Sequence, residues 1–170
     1  MYRSQRSILG LRASYDRLRE AVRGSLGASP LGIILFGSTV YMGRGRDLDL
    51  LVIVERVEGP LVKRFEAERL ISREIFKGLG VWADVHILDL EELKENLAPG
   101  TFLSGLALGY ELINGGADVE EPILTFLEKL SNGRYILHNR YGTWDLAMHA
   151  KLTIRRSRTS KSHEKSTEAS

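Results

Sequence analysis

Apolar residues near the start of the chain recur at alternating steps of three and four, the spacing of a helix with one buried face. The pattern extends from Ser7 to Leu26, and the opposite face carries several arginines. The apolar positions are Ile8, Leu11, Tyr15, Leu18, Val22 and Leu26. We therefore predict that residues 1–27 form an amphipathic helix and a first structural unit.

Three short apolar runs follow, each bounded by turn residues. They span residues 31–36, 48–54 and 81–88, and a helical stripe of apolar residues separates the second run from the third. Continuous apolar runs of this length are typical of strands that are buried on both faces. A brief helix is expected to open at Gly37-Ser38, so the chain alternates helices with strands.

We assign the strands and their connecting helices to one central unit, residues 28–116. Helix-start signals occur near its end. Asp89 followed by Glu92 fits a capping box, and residues 99–101 introduce a further helix. Residues 110–113 are predicted to add a short edge strand, because Asn and Gly residues close the run.

A mainly helical extension is predicted for residues 117–154. Pro122 stands where the first residue of a helix to Leu130 is expected. The pattern is weaker after that helix, where residues 135–137 suit an extended segment and residues 144–155 suit a less regular helix.

Composition is that of an ordinary globular domain, and it excludes several kinds of chemistry. The chain has 170 residues, of which 43% are hydrophobic and 27% charged. It contains no cysteine, which excludes disulfides, thiol nucleophiles and cysteine-bound zinc. No apolar run approaches the roughly 20 residues that span a bilayer, and the start lacks the apolar stretch of a secretory signal. We expect a cytoplasmic protein with no membrane partner.

Residues 155–170 form a basic tail. They hold five Arg or Lys and two Glu, whereas the whole chain has a net charge of +2, so the remainder is close to neutral. Because the tail has almost no apolar residues, it is expected to be disordered. A solvated end is the favoured interpretation, and an arm that binds nucleic acid is the alternative.

Two features that suit ligand binding or catalysis lie on the first two predicted strands. Gly37 permits close approach of a ligand to the backbone, and Ser38 adds a hydroxyl where free N–H groups favour an anion. Asp47 and Asp49 are two residues apart at the start of the next strand, so both can project from one face. Two carboxylates held so close favour a cation, and Mg²⁺ prefers such oxygen ligands together with phosphates and water.

A third acidic residue, Asp84, interrupts the third apolar run. A carboxylate there is costly unless it is exposed, paired or bound to metal. If this strand neighbours the second one, Asp47, Asp49 and Asp84 can hold two ions about 3.5–4 Å apart, as in-line phosphoryl transfer requires. His86, on the same strand, is interpreted as a hydrogen-bonded residue rather than a metal ligand.

This order of Gly-Ser, then Asp-x-Asp on the next strand, then a strand-borne Asp resembles the minimal nucleotidyltransferases of the DNA polymerase beta superfamily. The match covers roughly residues 31–88. The resemblance implies an α/β (α+β) fold in which a mixed sheet of about four to five strands is flanked by helices. It also implies transfer of a nucleoside monophosphate from an NTP, ATP by general abundance, to an acceptor hydroxyl with release of pyrophosphate.

The resemblance also assigns roles by position. Gly37 and Ser38 would hold the β- and γ-phosphates, and Asp47 and Asp49 would hold both Mg²⁺ ions. Asp84 would complete the site of the catalytic ion and help to activate the acceptor hydroxyl.

The loop before the acidic pair offers two further candidates for nucleotide binding. Arg44 and Arg46 would balance the charge of a triphosphate, and plain solvation explains them equally well. The interval between Ser38 and Asp47 is at the short end of the range for the family, so different loop contacts to the sugar or the acceptor are expected.

Later aromatic and histidine residues are interpreted as packing residues, with base stacking as an alternative: His138, Tyr141, Trp144 and His149.

Three functions are compatible with these residues. The first is a nucleotidyltransferase that acts on a protein, RNA or small-molecule hydroxyl. The second is an antitoxin-type partner of a HEPN-like helical toxin, which acts by modification or by binding alone. The third is an RNA-modifying nucleotidyltransferase, whose RNA affinity would fall steeply with salt.

Overall fold

The computed structural model describes residues 13–57 and 59–167, with side chains described to residue 159. Within this part, helices and strands alternate in the order that the apolar pattern predicts. In chain order the elements are α1 (Tyr15–Leu26), β1 (Gly32–Phe36), α2 (Ser38–Tyr41), β2 (Leu48–Val54), α3 (Leu61–Leu79), β3 (Ala83–Asp89), α4 (Leu90–Asn96), a 3₁₀ helix (Phe102–Leu108), β4 (Glu111–Gly115), α5 (Ala117–Ser131), β5 (Ile136–Asn139), β6 (Gly142–Asp145) and α6 (Leu146–Thr167).

A mixed sheet of four strands lies at the centre, in the order β3-β2-β1-β4. β1 is antiparallel to both of its neighbours, whereas β2 and β3 are parallel. A parallel pair needs a crossover connection, and α3 provides it between β2 and β3. The predicted fold class, a mixed sheet flanked by helices, is confirmed, and the edge strand expected near residues 110–113 is β4.

Helices cover both faces of this sheet, which explains why its central strands are continuous apolar runs. One face packs against α1 and α3, through buried residues that include Leu18 and Ile71. The other packs against the 3₁₀ helix, α5 and α6, through buried residues that include Leu103, Phe126 and Ala150. We call these the α1/α3 face and the α5/α6 face.

A separate two-stranded hairpin joins α5 to α6. β5 and β6 pair antiparallel, and the hairpin is not hydrogen-bonded into the central sheet. The extended segment expected at residues 135–137 is therefore part of β5. The following helix begins at Leu146 rather than at Trp144, because Trp144 belongs to β6 and pairs with Leu137.

The predicted start of α5 is wrong. The helix begins at Ala117, so Pro122 lies inside it rather than at its first position. The proline removes one helical hydrogen bond. Burial of Val119 explains the earlier start, because its side chain packs closely against Gly32 of β1 and is almost fully buried.

The basic end of the chain differs from the disorder that its composition suggests. α6 continues to Thr167, well into the segment 155–170. Ser157 Oγ donates a hydrogen bond to Glu120 Oε1 (2.7 Å), and Arg158 pairs with Glu128 across 2.9 Å. These contacts with α5 offset the ordering entropy for the first turns beyond residue 154.

At the other end, the part of the predicted first helix before residue 13 lies outside the described residues, so the assignment of residues 1–27 to one unit stays a prediction. The boundaries expected at residues 28–116 and 117–154 also stay predictions. Within the described part of the chain, no helix combines the length and apolar character needed to cross a membrane.

The predicted capping box at the start of α4 is confirmed. The Asp89 carboxylate accepts hydrogen bonds from the backbone N–H groups of Glu91 (3.1 Å) and Glu92 (2.9 Å). The Glu92 carboxylate in turn accepts from the Asp89 N–H at 3.2 Å. Both partners of the motif therefore satisfy backbone donors at the end of β3.

Replacement of the cap by Asp89→Ala is expected to lower the free energy of unfolding by about 1 kcal/mol, because two backbone donors lose their acceptor. Urea denaturation measures this loss. Glu91→Ala is the matched control, since Glu91 is an exposed partner of Lys94 and such a pair contributes less than about 1 kcal/mol. Equal losses in the two variants would contradict the capping role.

Candidate active site

The pairing of β2 with β3 brings two of the predicted carboxylates together. In this parallel ladder Asp49 is the register partner of Asp84, and Leu51 is the partner of His86. Register partners project from the same face of a sheet, so Asp49, Asp84 and His86 share one face. Leu51 belongs to the core of the α5/α6 face, which identifies that face.

The alternate residues of β2 explain why the acidic positions are fixed. Leu48 and Leu50 are buried in the core of the α1/α3 face. A slip of one residue would turn Asp49 into this core and move Leu48 to the position of a carboxylate, so the register is strongly specified. Asp47 precedes β2 and is exposed, whereas Asp49 is half-buried.

The Gly37-Ser38 turn lies directly against Asp49. Gly37 has φ +76° and ψ −165°, a conformation essentially restricted to glycine. A Cβ atom at this position would overlap the Asp49 carboxylate. Glycine is therefore required both by its backbone conformation and by contact with the acidic side chain.

The short helix α2 holds this turn against the start of β2. The Gly37 carbonyl accepts hydrogen bonds from the N–H groups of Val40 (3.0 Å) and Tyr41 (3.2 Å). Thr39 is buried, and its hydroxyl donates to the carbonyl of Asp47 at 2.8 Å. The turn, α2 and the acidic pair thus form one local structure.

The electrostatics of the site are dominated by Asp49. Burial, and next the negative charge of Asp84, raise the pKa of Asp49 from 3.8 to about 6. Asp47 raises it further, while His86 and Arg140 lower it. The dominance of the raising effects indicates a carboxylate whose charge the protein alone does not neutralise.

His86 lies beside Asp84 rather than at the centre of the cluster. Its Nε2 atom is 3.6 Å from Asp84 Oδ2, and the Asp84 side chain is 68% exposed. The imidazole ring also contacts the ring of Phe102, with centroids 4.8 Å apart. His86 therefore has an acidic and an aromatic neighbour, but the distance to Asp84 is too long for a hydrogen bond, and the expected hydrogen-bonded role stays a prediction.

The donor set fits Mg²⁺, although the side chains as placed do not form a complete cage. Among the described residues, no group of three or more acidic or histidine side chains is close enough to enclose a metal ion. Mg²⁺ commonly takes only one or two carboxylates from a protein and completes its shell with phosphates and water. Asp49 and Asp84, as register partners on neighbouring strands, offer two such carboxylates.

The arginine whose charge reaches Asp49 is not one of the two predicted from the sequence. Arg44 and Arg46 are both exposed in the loop before Asp47, and neither is among the charges that perturb the pKa of Asp49. Arg140, at the tip of the β5–β6 hairpin, is among them. The only local signal for this residue is the sequence of a tight turn, which does not reveal where the turn lies in space.

Aromatic residues link the same hairpin to α2. The ring of Tyr41 contacts Trp144 edge to face at 5.2 Å, and it contacts Tyr141 at 6.4 Å. His149 also contacts Trp144, with ring centroids 5.5 Å apart. These residues do pack, as the sequence suggests, but they pack beside the Gly37-Ser38 turn.

Comparison with known proteins gives structural likeness only. No protein-family model and no curated protein matches the chain. A chain of a toxin–antitoxin complex solved with AMP-PNP aligns over 69% of this chain and 90% of that chain, at 16% identity and a TM-score of 0.45. A chain of the complex between a tri-AMPylated Shewanella oneidensis HEPN toxin and its MNT antitoxin aligns over 71% and 89%, at 14% identity and a TM-score of 0.43.

A third similar structure is spectinomycin adenyltransferase from Enterococcus faecialis, solved with ATP and spectinomycin. It aligns over 71% of this chain and 67% of that chain, at 14% identity and a TM-score of 0.40. Likeness at these TM-scores carries no weight for function, which has to come from the site itself.

Gly37→Ala is expected to destabilise the protein by more than about 2 kcal/mol, because it combines a disfavoured φ with overlap on the Asp49 carboxylate. Thermal unfolding measures the change. Gly43→Ala is the matched control: Gly43 also has a positive φ of 66°, but nothing lies within 4 Å of its added Cβ. A similar loss in both variants would show that the contact with Asp49 is unimportant.

Asp49→Asn is expected to stabilise the metal-free protein at pH 7 by about 1–2 kcal/mol, after allowance for solvent screening of the half-buried carboxylate. The folded-state pKa, about 6, lies above the unfolded value, so the folded protein binds a proton more readily. Stability from this group therefore rises as pH falls from 7 towards 4 and is lost as pH rises through 6. Urea denaturation in EDTA at both ends of that range measures the difference, and a pH-independent difference between the variants would contradict it.

Proposed function

We propose that the protein is a Mg²⁺-dependent nucleotidyltransferase, which moves a nucleoside monophosphate from an NTP to an acceptor hydroxyl and releases pyrophosphate. The observation that supports this most directly is the register pairing of Asp49 with Asp84 beneath the Gly37-Ser38 turn. Paired carboxylates beside an open backbone turn suit a metal-bound polyphosphate.

Each residue of the site has a role in this proposal. Asp49 and Asp84 would hold Mg²⁺, and Asp47 would join them when the triphosphate is bound. Bound Mg²⁺ supplies charge neutralisation and Lewis-acid polarisation of the phosphates, with two ions expected. The Gly37-Ser38 turn would hold the β- and γ-phosphates, to which the Ser38 hydroxyl offers a donor.

The surrounding groups would complete the reaction. Asp84 is the more exposed of the paired carboxylates, so it is better placed to meet an incoming acceptor hydroxyl and to take its proton. Arg44 and Arg46 are in the exposed loop before Asp47 and remain candidates for contact with the triphosphate. ATP is the proposed donor because of its abundance.

The second candidate function is that of an antitoxin-type partner of a small helical HEPN-like protein. Exposed apolar side chains at the start of α3 support an interface with some protein: Leu61 (62%), Val62 (63%) and Phe65 (57%). The two functions are compatible, because a bound protein could also be the acceptor. The third candidate, modification of RNA, rests on the basic residues of the first helix and of the tail at 155–170.

Asp49→Asn and Asp84→Asn are each expected to lower transfer by at least about 100-fold, because each removes a charged metal ligand. The assay uses α-³²P-labelled ATP and the other NTPs with Mg²⁺ in cell extract, followed by mass spectrometry of labelled proteins and RNAs. Label on a protein, an RNA or a small molecule decides between the proposed acceptors.

Asp118→Asn is the matched control for this assay, because it removes an exposed carboxylate on α5, an element that contributes no carboxylate to the paired site. It is expected to retain normal transfer. The catalytic proposal is contradicted if the unmodified protein transfers no label, or if the Asp49→Asn variant transfers label at the normal rate.

A further inference from the structure

The β5–β6 hairpin lies on the same face of the sheet as the paired carboxylates. Leu137 of β5 and Trp144 of β6 both pack against the core of the α5/α6 face. That core includes Phe36, the residue before the Gly37-Ser38 turn, and Phe36 is also the register partner of Asp49. The hairpin is therefore held on the side of the sheet where substrate would bind.

Hydrogen bonds of one residue fix the tip of the hairpin. Asn139 Oδ1 accepts from the backbone N–H of Tyr141 at 2.9 Å and from Trp144 Nε1 at 3.1 Å. Its Nδ2 group donates to the hydroxyl of Tyr41 at 3.3 Å. Since Tyr41 ends α2, the tip is anchored to the same short helix that begins at Ser38.

The tip presents one cation. The guanidinium carbon of Arg140 lies 4.9 Å from the ring centroid of Tyr141, and that ring in turn contacts Tyr41. Arg140 is exposed, and among the described residues no carboxylate forms an ion pair with it. An arginine stacked on an aromatic ring keeps its N–H donors available in a defined orientation.

The charge of Arg140 also reaches Tyr41 at the end of α2. It lowers the pKa of Tyr41, whose net rise is caused mainly by burial. The two arginines of the loop before Asp47 do not contribute to this effect. The hydrogen bond from Asn139 to Tyr41 and the ring contact between Tyr41 and Tyr141 thus place Arg140 beside the Gly37-Ser38 turn, and the electrostatic effect on Tyr41 agrees with that position.

We propose that the β5–β6 hairpin is the second wall of the nucleotide site and that Arg140 binds the phosphate chain of the NTP. This inference rests on the proposed function and adds a residue to it. The turn at Gly37-Ser38 would contact the chain from one side, and the guanidinium would contact it from the other. Arginine suits this position because its planar fork donates two parallel hydrogen bonds to phosphate oxygens.

The hairpin would also bring aromatic surface to the nucleotide. Tyr141 is 39% exposed, and Trp144 contacts Tyr41 of α2, so its fluorescence is expected to respond to a nucleotide bound at the Gly37-Ser38 turn. Trp82, the other tryptophan, is stacked on Phe76 of α3 with ring centroids 4.3 Å apart. Trp82→Phe therefore leaves Trp144 as the single reporter near the hairpin.

The test measures affinity rather than turnover. Calorimetric titration with a non-hydrolysable ATP analogue, AMP and inorganic tripolyphosphate, each with Mg²⁺, is performed on the unmodified protein and on Arg140→Ala, Arg140→Lys and Arg134→Ala. Arg134→Ala is the matched control, because Arg134 is an exposed arginine just before the same hairpin. Titration of the Trp82→Phe protein checks that the fluorescence of Trp144 changes on binding.

Arg140→Ala is expected to weaken binding of the ATP analogue and of tripolyphosphate by about 10-fold or more, and binding of AMP by much less. Arg140→Lys should show an intermediate loss, since it keeps the charge but not the fork, and Arg134→Ala should bind within about twofold of the unmodified protein. Thermal unfolding of each variant shows whether the fold is retained.

Two failures are distinguishable. Suppose that the unmodified protein binds the triphosphate. If Arg140→Ala binds it equally well, or if Arg140→Ala lowers the affinity for AMP as much as the affinity for the triphosphate, the role of Arg140 is wrong while the proposed function stands. If the unmodified protein binds no NTP with Mg²⁺ at all, the proposed function and the role of Arg140 fail together.

Discussion

The parallel pairing of β2 with β3 is the constraint on which the site depends. It sets Asp49 opposite Asp84 and keeps both on the face that carries the Gly37-Ser38 turn. Burying Asp49 and placing it beside Asp84 costs free energy, and burial first and Asp84 second raise the pKa of Asp49. The hydrophobic burial of the alternate residues, such as Leu48 and Leu50, offsets that cost and fixes the register, because a slip of one residue would turn Asp49 into the core of the α1/α3 face.

Those parts of the fold that follow from local chemistry could be predicted from the sequence. A period of two places Asp49 on the face opposite to Leu48 and Leu50, and continuous apolar runs indicate strands covered on both sides. The capping box at Asp89 is also a local signal, and the structure contains it. The closeness of Asp84 to Asp49 could not be predicted in this way. Alternation along the third strand places Asp84 beside Asp49 only if that strand pairs with the second. The residues leave that pairing open, and only the family resemblance implies it.

Long-range contacts account for the features that could not be predicted. Arg140 is a surface residue of a tight turn, and nothing in the turn shows that Asn139 anchors it to Tyr41. The early start of α5 depends on Val119 fitting against Gly32, a glycine far away in the sequence. Likewise, the helical state of residues beyond 154 depends on partners in α5, such as Glu120, whereas composition describes only the segment itself.

The direct continuation of β6 into α6 has a mechanical consequence. The backbone N–H of Leu146 donates to the carbonyl of Tyr135 at 2.9 Å, which closes the base of the hairpin at the first residue of the long helix. The tip of the β5–β6 hairpin and α6 are therefore expected to move together as one rigid unit that pivots at this hydrogen bond. Loss of a contact that holds α6 in place, such as the buried hydrogen bond from Thr153 to the carbonyl of Ala107 in the 3₁₀ helix, would then shift the hairpin tip at a distance.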